Sequence, residues 1–418
     1  MFKVGRIPPA LEGFFKPLTG FFLYNHYTFF RDLVVMMAYA WGPRTVANLH
    51  RHLDPRGRSW RTRYNNFLNL DRWDAPAALR AKAMELLAKA LAQAPRRTTI
   101  YLVIDDSKKS KRGKKMEAVG FLHDSTTGHT IKGHNFIQAN LEVNGVTIPW
   151  GVQLYAKKED CPKLGLRFRK LTELAADLIS SFTPPAGYKV RVVFDTFYLC
   201  PQVVKPCRRK GFFVVSALKR NRNLFLGGRK LKAGNYGKNR FRRGPLRRLT
   251  VDGSGGPAHY TFVDAGQLAV SDLGQMRVVF SRKNKDPKIL GIVTDDPDLT
   301  PEALIRAYGV RWRIEVFFKD CKQHLGLGQY QNVAYAAAVI HLHLVCFARA
   351  LLTHLSLMRK GEKGKKRKSA ARLSVGQLQN ELRRILWRDL SAHLAKCHTG
   401  DQVIAELERL LMYKKIPA

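Results

Sequence analysis

Apolar residues recur with two different periods along the chain, and the period changes near residue 98. Before that point, apolar residues return every three to four positions in three segments: NHYTFFRDLVVMMAYAW, TVANLHRHL and PAALRAKAMELLAKALAQA. This spacing places apolar side chains on one face of an α-helix. It therefore predicts a helical N-terminal region over residues 1–98.

Cations and aromatic residues interleave between the second and third of these helices, in GRSWRTRYNNFL. The residues concerned are Arg58, Trp60, Arg61, Arg63 and Tyr64. Short helices joined by tight basic turns are typical of helix-turn-helix DNA-binding modules. The basic surface of a structural helical domain would have the same pattern, so both interpretations stay open.

Beyond residue 98 the pattern changes to β-branched runs that indicate strands. TIYLVIDD ends in two carboxylates, and FIQANLEV and VTIPWGVQLY flank the hairpin turn Asn144-Gly145. KLTELAADLISSF predicts a helix, YKVRVVFDTFY a strand that ends in Asp195, and GFFVVSAL a further strand. Residues 99–217 are therefore predicted to form a mixed α/β layer.

Residues 218–298 interrupt this layer with Gly-rich sequence and short β-branched runs, which predicts a basic, β-rich insertion. From Lys219 to Arg248 the insertion has twelve cations and no acid. A helix then resumes over residues 299–330, with Thr300 as its N-cap and Gly326 near its end.

The C-terminal region, residues 331–418, is predicted to be helical and to contain the basic loop RKGEKGKKRK. His341, His343 and His354 lie on an apolar helical segment. We predict that they are core or interface residues rather than metal ligands.

The net charge of the chain indicates its class of binding partner more clearly than the rest of its composition does. Of 418 residues, 73 are Lys or Arg and 32 are Asp or Glu, which gives a net charge of +41. A polyphosphate backbone commonly balances such a charge, and an anionic membrane surface is the alternative. No apolar run is predicted to approach the roughly 20 residues of a membrane span. Six scattered cysteines without a C-x-x-C predict neither a zinc site nor disulfides, in keeping with the cytoplasm.

The predicted helix YGVRWRIEVFFKDCK carries one glutamate among several cations. At 100° per residue, four polar side chains share an arc of roughly 60°: Tyr308, Arg311, Glu315 and Lys322. One interpretation is a set of ion pairs on a solvated helix face. The other is a chemical face beside an apolar one.

Further carboxylates follow two strands of the predicted sheet, at Asp105 or Asp106 and at Asp195. Sites collect at the carboxyl ends of strands in α/β sheets, and clustered carboxylates suit Mg²⁺ or Mn²⁺. An Asp that ends a strand is also commonly a turn or cap residue. The run KKSKRGKK beside Asp106 favours nucleic-acid chemistry over a turn.

Three segments together resemble the motif regions of DDE transposases from bacterial insertion sequences. They are TIYLVIDDSKKSKRGKK, VVFDTFY and YGVRWRIEVFFKDCK. The third matches the signature Tyr-x2-Arg-x3-Glu-x6-Lys without a gap, at Tyr308, Arg311, Glu315 and Lys322. The resemblance covers roughly residues 100–330.

This resemblance implies an RNase-H-like α/β fold with a mixed sheet and a β-rich insertion, flanked by helical regions. It implies a catalytic set of Asp106, Asp195 and Glu315 that binds Mg²⁺ or Mn²⁺, two ions in all, for strand cleavage and strand transfer. A hydroxyl residue follows the first Asp in the family, which favours Asp106 over Asp105.

The same resemblance implies that Tyr308, Arg311 and Lys322 hold DNA phosphates, contacts that position the backbone without reading sequence. Trp312 either contacts a flipped base or is a core residue. Further DNA contacts are predicted at Lys108, Lys109, Lys111, Arg112, Arg240, Arg242 and Arg243. The implied partners are double-stranded transposon ends and target DNA, bound by a homodimer at the nucleoid, without a membrane.

Three other functions stay open from the sequence. An RNase-H-like nuclease or resolvase would cut strands without joining them. A non-catalytic DNA-binding relic of a transposase would keep the fold alone, although an intact carboxylate set argues against it. A basic RNA-binding protein would explain the charge but not Glu315.

Overall fold

A computed structural model describes residues 2–54, 60–69, 73–113, 115–123, 128–252, 256–284, 286–361 and 373–411. Its α-helices are α1 (Glu12–Phe15), α2 (Tyr24–Tyr39), α3 (Val46–Arg51), α4 (Arg61–Asn69), α5 (Ala75–Ala92), α6 (Leu171–Ser180), α7 (Pro201–Arg209), α8 (Ala233–Arg243), α9 (Pro301–Gly309), α10 (Trp312–His324), α11 (Tyr335–Gly361), α12 (Val375–Leu394) and α13 (Gly400–Leu410). Its strands are β1 (Ile100–Ser110), β2 (Gly120–His123), β3 (Thr130–Val143), β4 (Val146–Leu154), β5 (Val190–Phe194), β6 (Phe213–Leu218), β7 (Asn223–Leu226), β8 (Arg229–Lys232), β9 (Arg247–Val251), β10 (Ala258–Val270), β11 (Gly274–Lys283) and β12 (Leu290–Thr294).

The N-terminal region is helical, as its apolar period predicts. Helices α2, α3 and α5 lie in the three periodic segments. The prediction of a basic turn in GRSWRTRYNNFL is wrong for Arg61–Asn69, which form α4. Tyr64, Phe67 and Leu68 have i, i+3, i+4 spacing and are buried together, so this segment is helical as well. Arg58 lies outside the described residues.

Five strands form the centre of the sheet in the spatial order β4-β3-β1-β5-β6. β1 runs antiparallel to β3 and parallel to β5, and β5 runs parallel to β6. Helices α6 and α7 connect the later strands of this group, as the mixed α/β prediction requires. This strand order and these directions are those of an RNase-H-like fold, which confirms the predicted fold class.

Strand β1 is longer than its apolar run predicts. Asp105 and Asp106 lie within it rather than at its end, because the following residues continue to pair with β3 as far as Ser110 opposite Gly133. A Cβ at Gly133 would lie 2.2 Å from the carbonyl oxygen of Lys109, so only glycine allows this close pairing.

The insertion continues the same sheet rather than standing apart from it. β12 pairs antiparallel with β6, and β11 and β10 follow outward from it. Together the described strands make one sheet of twelve. The domain boundaries given above stay predictions.

The helix predicted over residues 299–330 is in fact two helices, α9 and α10. Thr300 is its N-cap as predicted, and its hydroxyl accepts a hydrogen bond from the Ala303 N–H at 3.2 Å. Between the helices, the N–H groups of Val310 and Arg311 donate to carbonyls three residues back. The backbone dihedral angles of both residues stay right-handed, so a tighter 3-10-type turn separates the two helices.

Helix α11 packs on α2, α5 and β4 near the centre of the molecule. Its span Tyr335–Arg359 is long and apolar enough to cross a membrane, so the expectation that no such run exists is wrong. However, 83% of its most apolar window is buried in the protein, as in the core helix of a globular fold. His341, His343 and His354 are buried on it, as predicted. The basic loop RKGEKGKKRK lies beyond the described residues from position 362 onward.

Candidate active site

Strands β1 and β5 bring two aspartates side by side. Their parallel register ends at the pair Val103 and Val193, and Asp105 and Asp195 each follow two residues later. Burial, and then the carboxylates of Asp195 and Asp106, raise the pKa of Asp105 to about 7. The two strands therefore hold closely spaced carboxylates that repel one another.

Glu315 on α10 joins this pair through Arg311. One guanidinium nitrogen of Arg311 lies 3.2 Å from a carboxylate oxygen of Asp105, and the other nitrogen donates to a carboxylate oxygen of Glu315. The guanidinium stands between the strand carboxylate and the helix carboxylate. Its positive charge partly offsets the repulsion between these carboxylates.

Successive side chains of β1 point to opposite faces of the sheet, so Asp105 and Asp106 lie on different faces. Ser107 shares a face with Asp105, and its hydroxyl accepts a hydrogen bond from Lys322 of α10 at 2.8 Å. Asp106 instead accepts a hydrogen bond from the Tyr198 hydroxyl at 2.9 Å and lies 3.5 Å from the Lys108 ammonium. Asp105 is thus the aspartate of β1 that faces α10. Asp106 is nevertheless close enough to Asp195 for its carboxylate to raise the pKa of Asp195, so the preference for Asp106 stays a prediction.

Asp195 lies at the turn after β5. Its carboxylate accepts a hydrogen bond from the Phe197 N–H at 2.8 Å, so it also serves as the turn residue that the alternative interpretation describes. Burial is the main cause that raises the pKa of Asp195, and that hydrogen bond opposes the increase. A turn role and a role in the site are therefore compatible.

The donor set suits a hard divalent cation, because it consists of carboxylate oxygens without sulfur or imidazole. Within the described part of the chain, no three His, Cys, Asp or Glu side chains already converge on one point that could hold a metal. The six cysteines are free thiols, as the scattered pattern predicts.

Lys111 is not a surface cation, so the prediction that it contacts DNA is wrong. It is 8% exposed, and its ammonium donates to the carbonyls of Gly328 at 2.8 Å and Tyr330 at 2.9 Å. Burial lowers the pKa of Lys111 to about 7. Its role is to hold the loop after α10 against the end of β1. Arg112, the next residue, is exposed.

The side chains of the other predicted DNA-contacting residues differ in their exposure to solvent. Trp312 is 62% exposed at the start of α10, so the alternative that it is a core residue is wrong. Arg242 and Arg243 are exposed at the end of α8. Arg240 is partly buried and donates to the carbonyl of Asp264 at 3.1 Å. Lys109 is partly buried as well.

Sequence reasoning missed Tyr198 as part of this site. Its hydroxyl fixes one oxygen of Asp106, and its ring is fully buried. The available signal was its position three residues after Asp195 in VVFDTFY.

Two family models match the chain. One, described as a DDE superfamily endonuclease, matches residues 28–258, more than half of the chain; the other, described as a transposase DDE domain, matches residues 166–351. Among solved structures, a piggyBac transposase in a cryo-EM synaptic complex with hairpin DNA is similar at 12% identity and a TM-score of 0.48, over 95% of this chain and 78% of that chain. No curated protein matches the chain. Between them, the two family matches include all the carboxylates of the β1–β5–α10 site.

Proposed function

This chain belongs to the DDE superfamily of endonucleases and is a DNA transposase, and from that premise we propose that it cuts and joins DNA at the ends of a bacterial insertion sequence. The observation that carries this proposal is the Arg311 bridge between Asp105 and Glu315, beside Asp195. It joins strand β1 to helix α10 across 206 residues of sequence. It also lies in a protein with a net charge of +41, which suits a phosphodiester substrate.

We propose that Asp105, Asp195 and Glu315 hold the divalent ions, Mg²⁺ or Mn²⁺ and two in number. Their mutual repulsion in a buried setting supports this assignment, since a cation would relieve it. A bound ion of this kind polarises the scissile phosphate and favours ionisation of the attacking hydroxyl. Asp106 is the alternative ligand on β1, and the Tyr198 hydroxyl holds it in its present direction.

Arg311 has a second role in this proposal. With its carboxylate partners engaged by cations, its guanidinium would be free to pair with a phosphate oxygen, for which its fork of donors is well suited. Tyr308 lies below it, with the guanidinium 5.9 Å from the ring centre. Lys322, held at Ser107, adds a second cation on the same helix face. These residues position the DNA backbone and do not select its sequence.

The substrate is duplex DNA of both the element ends and the target. We propose that the chain pairs the two ends as a homodimer, in the cytoplasm at the nucleoid. Exposed Arg242 and Arg243 on α8 and exposed Arg112 after β1 are the cations we assign to the flanking backbone. Lys108, Lys109 and Arg240 are partly buried and are proposed as further DNA contacts.

The test uses a labelled duplex of the DNA that flanks the gene, a supercoiled plasmid as target, and Mg²⁺ or Mn²⁺. We expect the wild-type protein to nick the duplex at the element boundary and to join the freed 3′ end to the plasmid. Glu315→Gln keeps the size of the side chain but removes its charge. This variant should bind the duplex normally and yield neither product.

Two outcomes would count against the proposal. Cleavage by Glu315→Gln at the wild-type rate would make Glu315 only an ion-pair partner of Arg311. Nicks without joined product, at any target concentration, would indicate a nuclease rather than a transposase.

A further inference from the structure

Strands β2 and β3 extend the sheet past the end of β1, the strand with the first carboxylates. Pairing of β1 with β3 ends at Ser110 opposite Gly133, and on its other side Gly133 pairs with Gly120 of β2. We call residues 120–123 and 130–133 the β2–β3 hairpin. It lies beyond the carboxylates of β1, on the side towards which that strand runs.

Hydrogen bonds hold the base of this hairpin to the rest of the fold. The N–H of Lys111, directly after β1, donates to the carbonyl of Lys132 at 2.9 Å. The carbonyl of Glu117, three residues before β2, accepts from a ring nitrogen of His134 at 2.7 Å. The Glu117 carboxylate accepts the N–H of Tyr335 at 2.6 Å, at the start of α11. The hairpin is therefore a preformed part of the molecule rather than a loose extension.

One face of the hairpin is covered by the protein. Leu122 and Ile131 pair across the strands and are half-buried on this face. The side chain of Lys157 lies over Gly120, where a Cβ would be only 2.5 Å from the lysine Cε. These contacts fix which face of the hairpin is turned outward.

The outward face presents an aromatic ring beside a cation. Phe121 is 69% exposed, the most exposed phenylalanine in the part of the chain that the structure describes, and it pairs directly with the exposed Lys132. The next pair on this face is His123 with Thr130, both exposed. None of the four is acidic, and exposed Lys115 precedes the hairpin in the chain. The charge of this face therefore complements a phosphate backbone.

This combination of side chains suits duplex DNA of variable sequence. A lysine can pair with a phosphate while a neighbouring ring stacks on bases or inserts between them. The face itself has no amide and no guanidinium, the groups that read base edges most specifically. A contact of this kind tolerates many sequences, as a target duplex requires.

The position of the hairpin in the sheet also favours the target duplex. The strand order β2-β3-β1-β5-β6-β12 puts the hairpin on one side of the carboxylate strands β1 and β5, and the insertion on the other side. The insertion carries Arg242 and Arg243, which we assign to the flanking backbone. Since strand transfer requires two duplexes to meet at the carboxylates, the hairpin side is available to the second one.

We propose that Phe121 inserts between base pairs of the target duplex while Lys132 pairs with an adjacent phosphate, and that the hairpin thereby selects target sites that deform easily. This inference rests on the proposed function and adds to it a residue for target capture. An apolar side chain that enters a base step unstacks it and kinks the duplex. Pyrimidine–purine steps kink most easily, so joined products should be enriched in them.

The test separates joining from cleavage. A pre-nicked element end is supplied with Mg²⁺ and either an intact target duplex or the same duplex with two adjacent mismatched base pairs. Phe121→Ala should lower joining to the intact target by about 10-fold or more, the loss typical of one stacked base. It should join the mismatched target at close to the wild-type rate, because those bases are already unstacked. Nicking of an intact element end should stay at the wild-type level.

Two further variants serve as controls. Phe121→Trp keeps a ring that can insert, so it should retain most of the joining. Phe225→Ala removes another exposed phenylalanine, which pairs with Lys230 in the hairpin of β7 and β8 at the opposite end of the sheet. This variant should join both targets like wild type. Sequencing of the joined products should show the preference for pyrimidine–purine steps in wild type and its loss in Phe121→Ala.

Four outcomes would overturn the inference. Wild-type joining of the intact target by Phe121→Ala would do so and would leave the proposed function standing. An equal deficit on intact and mismatched targets would do so as well, since a general folding defect has that result. A loss of joining together with dissociation of a dimer, measured by sedimentation, would instead assign Phe121 to a contact between two copies of the chain. A wild-type protein that neither nicks nor joins would overturn both proposals.

Discussion

At the scale of single residues, the site is dominated by carboxylates that repel one another. Asp105 has a pKa of about 7 in the folded protein, against an ordinary value of 3.8, because it is buried beside Asp195 and Asp106. Arg311 opposes this shift without cancelling it. A divalent ion that binds Asp105 would have to displace this proton, so metal binding should strengthen as pH rises through this pKa.

This raised pKa predicts how stability depends on pH. Between about pH 4 and pH 7 the folded state holds the Asp105 proton and the unfolded state does not, so stability falls as pH rises through this window. We expect Asp105→Asn to raise the melting temperature of the metal-free protein at pH 8, and to change it little at pH 4. Thermal unfolding at both pH values, with the exposed Asp252→Asn as control, measures this. An equal effect of Asp105→Asn at both pH values would contradict it.

Substitution of two adjacent cations should affect different properties of the protein: stability at Lys111 and DNA binding at Arg112. Lys111→Ala removes a buried group with two carbonyl partners, so it should lower the free energy of unfolding by about 1–3 kcal/mol. Arg112→Ala should leave stability unchanged and reduce the salt slope of DNA binding by about 1. Thermal unfolding and fluorescence anisotropy at several salt concentrations separate the two effects. A lower salt slope in Lys111→Ala with normal stability would mean that Lys111 reaches DNA after all.

The sequence supports prediction at the residue scale where spacing is specific. Tyr308, Arg311, Glu315 and Lys322 follow a fixed signature, and Arg311 does contact Glu315. The choice between Asp105 and Asp106 depends on which face of β1 each occupies, and that in turn depends on pairing with distant strands. Burial of Lys111 depends on a loop more than 200 residues away. A local run of cations cannot reveal either fact.

At the scale of elements, Arg44 connects the N-terminal helices to the end of α10. Arg44→Ala would leave the carbonyls of Met37, Gly42 and His324 without their donor in a buried setting. We expect a loss of about 1–3 kcal/mol in stability. The exposed Arg51→Ala should change stability by less than about 0.5 kcal/mol. Chemical denaturation measures both, and equal losses would contradict a specific role for Arg44.

Most helices and strands could be predicted from apolar period and end signals, for example α9 from Thr300 and Pro301. Two elements could not. Helix α4 has few apolar residues, and its cations and amides resemble a turn until the spacing of Tyr64, Phe67 and Leu68 is considered. β1 continues past its apolar run because β3 continues to pair with it, which is a tertiary effect.

At the scale of the whole molecule, the sheet and helix α11 connect regions that the sequence suggests are separate domains. The insertion adds strands to the central sheet through β12 and β6, so its basic surface is rigidly placed relative to Asp195. Helix α11 packs against both the N-terminal helices and β4. Non-local pairing of this kind has no short-range sequence signal, so composition predicts the charge of the insertion but not its attachment.

The central claim, that carboxylates on β1, β5 and α10 form one metal-dependent site, is tested most directly by strand cleavage in a set of matched variants. The flanking duplex with Mg²⁺ is incubated with Asp105→Asn, Asp195→Asn and Asp106→Asn, and DNA binding is measured alongside. We predict that Asp105→Asn and Asp195→Asn lose at least about a hundredfold in cleavage rate while they still bind DNA, and that Asp106→Asn retains most activity. Normal cleavage by Asp195→Asn would contradict the shared site. Normal cleavage by Asp105→Asn with none by Asp106→Asn would contradict the assignment on β1.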